Sequence, residues 1–89
     1  MESINIEIIN KLGLHARAAS KFSSTCAKFA SKITVKKDGK TVDGKSIMSL
    51  MLLAAPIGTI LEIHCSGSDE KDALEAIKTL INNRFDEAE

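Results

Sequence analysis

The stretch KITVKKDGKTVD, residues 32 to 43, restricts the fold of this chain more than any other. Its Asp38-Gly39 pair sits between two runs of strand character, and such a pair accepts positive φ at both turn positions, the geometry that matches the twist of antiparallel strands. Ile33 and Val35 alternate inward and Thr41 and Val42 begin the return strand, so these residues form a hairpin with one apolar face. A sheet with one apolar face needs a second layer over it. The rest of the chain must supply both further strands and that layer.

Both are legible. SINIEII alternates, with Ile4, Ile6 and Ile8 on one side and Ser3, Asn5 and Glu7 on the other, and TILEIHC does the same, with Leu61, Ile63 and Cys65 inward against Glu62 and His64. His64 reads as an exposed strand residue without a partner. Between these strands the period changes to that of a helix. Ala19, Phe22, Cys26, Phe29 and Ala30 recur at helical spacing from Ala16 to about residue 28. Ser46 is a good N-cap for a short helix, IMSLMLLAA, that Pro56 and Gly58 prevent from continuing. A last helix follows GSDEKD, whose acidic residues suit its start, with Leu74, Ile77 and Ile81 as its buried stripe and Arg84 near its end. The order is β-α-β-β-α-β-α, which predicts an α+β open-faced sandwich: a four-stranded antiparallel sheet with three helices on one face. The polar outward positions Asn5, Glu7, Thr34, Lys36 and Glu62 leave the other face to water.

With 89 residues, the chain holds one core and one domain, spanning residues 1 to 89. That core is aliphatic, since there is no Trp or Tyr and only three Phe. Twelve basic and twelve acidic residues cancel, which removes the broad positive field of a nucleic-acid binder. No basic leader and no apolar run of about 20 residues is present, so neither export nor membrane insertion is expected and the chain reads as cytoplasmic. Cys26 and Cys65 lie outside any CxxC or metal-ligand spacing and read as two buried free thiols; no metal and no cofactor is implied.

Three features could carry chemistry. GKTVDGKS, residues 39 to 46, matches the pattern GxxxxGK[ST] of a phosphate-cradling loop. The match fails on context, because Gly39 belongs to the hairpin turn and residues 40 to 43 continue as a strand whose amides are already used. The second feature is GLHARAAS, residues 13 to 20, which places His15 where a loop becomes a helix. The unpaired N–H groups and positive dipole end of a helix start favour an anion there. A ring nitrogen that attacked a phosphoryl group would hand the new negative charge to those amides and to Arg17. The plainer reading is that His15 only caps the helix and Arg17 is solvated; Gly13, which loosens the approach, and a stripe of Arg17, Lys21, Ser24 and Lys28 on one helix face argue for a site facing an acidic partner. No Asp or Glu lies near residue 15 in the sequence to act as an adjacent base. The third feature is the short helix. Only Ser49 is polar between Ile47 and Ala55, so some of Ile47, Met48 and Met51 must stay exposed as an apolar docking patch.

Taken together these residues resemble the HPr family, the histidine-containing phosphocarriers of the bacterial phosphoenolpyruvate-dependent phosphotransferase system. The likeness spans essentially the whole chain. GLHAR is similar to the family's phosphorylation signature, and GKSIM to its regulatory serine site. The resemblance implies that His15 accepts a phosphoryl group on Nδ1, that Arg17 stabilises it, and that Ser46 is phosphorylated by a regulatory serine kinase. It further implies a monomeric carrier, not a catalyst, receiving the group from Enzyme I and passing it to IIA domains. Phosphorylation of Ser46 would put about two negative charges beside Ile47, Met48 and Met51 and weaken docking. Many members of the family carry proline where this chain has Ala18, and a glycine is common where it has Ser49. Two other readings compete with the carrier: a purely regulatory relative acting through Ser46 alone, which would need neither His15 nor Arg17, and a nucleotide-binding domain, which the hairpin disfavours.

Overall fold

The computed structural model describes residues 1 to 89. Four strands, β1 (Glu2–Glu7), β2 (Lys32–Lys37), β3 (Lys40–Asp43) and β4 (Ile60–Ser66), form one antiparallel sheet in the order β1-β4-β2-β3. Three helices, α1 (Ala16–Cys26), α2 (Ile47–Leu52) and α3 (Glu70–Asn82), cover one face, as the alternation predicted. The hairpin closes through Asp38 and Gly39, with φ of 50° and 83°, and Lys37 faces Lys40 across it. The central strand β4 sets Ile63 beside Ile4 on one flank and Val35 on the other. That row faces the helices and is buried at Val35 and Ile63. Thr34, Lys36, Asn5, Glu7 and Glu62 lie on the open face.

The residues 39 to 46 are not a phosphate loop. Lys40 to Asp43 are paired to β2, the Gly44 amide donates to the Ile33 carbonyl at 2.9 Å, and a Cβ on Gly44 would lie 2.8 Å from Ile33 Cγ2. No backbone there is free to wrap a nucleotide.

Several local readings are corrected. Helix α1 ends at Cys26, not residue 28, because the next amides turn more tightly, Lys28 to Thr25 and Phe29 to Cys26, and Asp69 draws the Ala30 and Ser31 amides away at 2.8 and 3.0 Å. Phe29 is therefore half-buried and Ala30 exposed, not part of a continuing stripe. Asp69 occupies the N-cap position of α3 yet caps nothing there; its carboxylate joins α3 to the start of β2 instead. Helix α2 stops at Leu52. Ala54 adopts φ of 52°, and the Lys37 ammonium takes the Leu53 and Ala54 carbonyls at 3.2 and 2.8 Å. In α3 the deepest stripe is Ala73, Ile77 and Ile81, with Leu74 packed at its edge, and Arg84 falls beyond the helix. His64 does have a partner, the Glu62 carboxylate two residues back on the same face. Both cysteines are free and buried, as expected, and burial pushes the Cys26 thiol up to about 12. Phe85, unassigned by the sequence, is fully buried.

Candidate functional site

The site is assembled on the loop that leads into α1. Gly13 turns this loop at φ of 67°, and the Leu14 amide donates to the Ala55 carbonyl at 2.8 Å, tying the loop to the segment after α2. Leu14 is buried beneath and His15 follows, partly exposed. His15 occupies the N-cap position with extended backbone (φ −78°, ψ −179°), and its carbonyl accepts the first helical bond, from Ala19 at 2.7 Å. Its ring makes no capping bond. The reading in which the imidazole merely caps the helix is thereby removed, and the amides of Ala16, Arg17 and Ala18 precede the first helical donor, Ala19, and have no helical acceptor.

What the ring does contact is Glu87, 72 positions later in the chain. His15 Nε2 meets Glu87 Oε2, while Asn10 Nδ2 donates to Glu87 Oε1 at 3.1 Å. Partial burial opposes the charge on this carboxyl. The hydrogen bonds from His15 and Asn10, with the His15 and Arg17 charges nearby, outweigh that and hold it below the usual carboxylate range. A charged carboxylate only accepts, so Nε2 carries a proton, and in the neutral form of the ring this leaves the lone pair on Nδ1. The expectation that no acid stands near His15 thus holds along the sequence and fails in space, because the chain's end folds back over the loop.

Arg17 is exposed on the first turn of α1 with no side-chain partner, and it lines the same shallow hollow as Leu12, Lys21 and Glu87. Its guanidinium is free for an anion. Lys21 is more committed than the stripe suggested: its ammonium donates to the Phe85 carbonyl at 2.9 Å and lies 3.7 Å from Asp86. Lys28 is exposed at the far end, past the last turn of α1, and makes no ion pair.

The apolar side chains expected at the surface are there. Ile47 is 41%, Met48 69% and Met51 42% exposed, and Leu52, which sequence reasoning did not single out, is 75% exposed. Leu12, 66% exposed, adds an apolar residue beside His15. Helix α2 buries Leu50 alone, because six residues supply little more than one inward position. Ser46 caps this helix as expected, accepting from the Ser49 amide at 3.3 Å, and the two hydroxyls are 3.0 Å apart.

Comparison with known proteins decides the family. A family profile described as "PTS HPr component phosphorylation site" matches residues 2–83. The chain belongs to the HPr family. It is 53% identical over 85 residues to the phosphocarrier protein HPr of Neisseria meningitidis, covering 96% of each chain, and 51% identical over 90 residues to that of Pseudomonas aeruginosa, covering 100% of each. A crystal structure of HPr from Thermoanaerobacter tengcongensis superposes with a TM-score of 0.96 at 44% identity, covering 100% of both chains. Members of the HPr family are carriers of phosphoryl groups in the phosphotransferase system and not catalysts. No helix of the chain is long and apolar enough to cross a membrane.

Proposed function

We propose that His15 Nδ1 is the phosphoryl acceptor, that Enzyme I charges it with a group originating in phosphoenolpyruvate, and that IIA domains receive it. The observation that carries this reading is the contact of Nε2 with Glu87, which occupies that nitrogen and turns Nδ1, the lone-pair nitrogen of the neutral ring, away from the carboxylate. The Nδ1 lone pair attacks phosphorus as the bond from phosphorus to its donor breaks, and the transferred oxygens meet the first-turn amides of α1 and the unpaired Arg17 guanidinium. Such transfer asks for positioning and charge stabilisation, and the protein offers both without a buried cavity or a general base at Nδ1. A carrier must be discharged as readily as it is charged, and an exposed phosphoimidazole can be reached from outside.

Partners dock on the same side in this reading. Ile47, Met48 and Met51, joined by Leu52 and Leu12, form the apolar part of the surface, and Lys21 and Lys28 the cationic part. Regulation enters at Ser46. A phosphate on its hydroxyl would add about two negative charges beside Ile47 and Met48, where docking removes water, so complexes with an acidic partner weaken. The protein acts as a cytoplasmic monomer that needs no cofactor. The test is incubation with Enzyme I and labelled phosphoenolpyruvate. Acid-labile label that vanishes in His15→Ala is the expected result, and absence of label on the parent protein with a competent Enzyme I would overturn it.

A further inference from the structure

We infer that Asn10 and Glu87 are positioning residues of the transfer site: Asn10 holds the Glu87 carboxylate, and that carboxylate holds the His15 ring with Nδ1 outward. The inference rests on His15 being the phosphoryl acceptor and adds the parts that orient it.

Asn10 is fully buried, unusual for an amide, and its bonding is lopsided. Its NH2 group donates twice, to the Gly13 carbonyl at 2.8 Å and to Glu87 Oε1 at 3.1 Å, while its own Oδ1 is buried with no partner. A buried acceptor left without a partner forfeits its hydration and is destabilising. Both oxygens served by the NH2 group can only accept, so flipping the amide would leave two acceptors facing a third. The orientation is fixed by what Asn10 serves: the turn that presents His15 and the carboxylate that contacts it.

Glu87 is delivered to this position by a fastened strap. After α3 the chain reverses through Arg84, Phe85 and Asp86, all in the left-handed region with φ of 56°, 53° and 63°. Such backbone is strained for a non-glycine residue, and it persists only where the surroundings hold it. Here Phe85 is sunk in the core, Lys21 grips the Phe85 carbonyl, and the Lys11 amide donates to the Glu89 carbonyl beyond. Glu87 lies between these anchors.

The chemistry asks for such a group. When the Nδ1 lone pair forms its bond to phosphorus, the ring gains positive charge while its proton stays on Nε2. A carboxylate accepting that N–H balances the charge as it develops and selects the tautomer in advance, as acids behind catalytic and metal-bound imidazoles do. No proton need leave the ring.

The experiment measures the rate of phosphorylation by Enzyme I and phosphoenolpyruvate, together with the 15N shifts of the His15 ring. Glu87→Ala is expected to slow phosphorylation about tenfold, the low end for loss of a group behind an imidazole, and to move the ring from a single Nε2–H tautomer toward a mixture. Glu87→Gln, which still accepts but lacks charge, falls between. Asn10→Ser keeps a donor near Gly13 but is too short to reach Glu87; it slows the parent and adds nothing in the Glu87→Ala background. Glu87 leaves no core cavity, so its variants fold and keep the test decisive. Unchanged rates and ring shifts in Glu87→Ala would overturn the inference, as would equal slowing by Asn10→Ser in both backgrounds. A parent protein that takes no label at all would instead remove the acceptor reading beneath it.

Discussion

Replacing Gly13 by alanine puts the largest calculable load on the His15 loop. Gly13 sits at φ of 67°, where an L-residue costs about 1–2 kcal/mol. A Cβ there would lie 2.5 Å from the Ala55 carbonyl oxygen and 2.8 Å from Pro56 Cα, both backbone atoms that cannot rotate aside. The Ala55 carbonyl is also the acceptor for the Leu14 amide, so moving it away weakens a bond worth about 1 kcal/mol. Together these predict a loss of about 2–3 kcal/mol. In a domain of this size each kcal/mol lowers the melting temperature by about 4–8 °C, so Gly13→Ala should melt about 10–20 °C below the parent. Circular dichroism melts measure it. Phosphorylation followed well below both midpoints should also be slower, since His15 moves with the loop. A melting temperature within a few degrees of the parent would refute the claim that this turn is both left-handed and closed against Ala55 and Pro56.

Other perturbations separate structure from function. Ser46→Ala removes the α2 cap and should cost about 1 kcal/mol, whereas Ser46→Asp keeps a capping carboxylate but slows transfer from Enzyme I; equal transfer rates for Ser46→Asp and the parent would remove the regulatory argument. Hydrogen bonds from the Ser31 hydroxyl, then the Ala30 and Ser31 amides, hold the Asp69 carboxyl below its ordinary 3.8. The stability this gives is present above that value and lost as pH falls through the lower folded one, so the deficit in melting temperature of Asp69→Asn should shrink as acid is added, and a deficit independent of pH would contradict it. With burial pushing both thiols up, Cys26 to about 12, a thiol reagent at mildly alkaline pH should label neither cysteine until the protein is unfolded; fast labelling of the native protein would contradict their burial.

The sheet was legible because its rules are local. Alternation in residues 3 to 8, 33 to 35 and 61 to 65 and the Asp38-Gly39 turn each depend on neighbours in sequence, and all four strands follow. Helix ends were less so, because they are decided by distant groups: Asp69 ends the run after α1, and Lys37 collects the carbonyls after α2. At the site, His15 and Arg17 were readable from a loop-to-helix junction, but Glu87 was not, since no spacing rule connects positions 72 apart. A signal did exist. Phe85 continues the four-residue spacing of Ala73, Ile77 and Ile81 but stands past the Asn82-Asn83 pair where α3 ends, and an apolar residue that lies beyond a helix end must be buried by a chain reversal, which carries its neighbours inward with it. Asn10 gave less warning, since Asn before a glycine turn is ordinary and only its burial sets it apart.

The central claim is that phosphorus is carried by one particular atom. Phosphorylating 15N-labelled protein with Enzyme I and phosphoenolpyruvate, then reading 31P–15N coupling, identifies the nitrogen directly. The geometry predicts a single phosphorus signal coupled to His15 Nδ1, with the proton retained on Nε2. Coupling to Nε2, or a phosphorus signal that survives in His15→Ala, would contradict it.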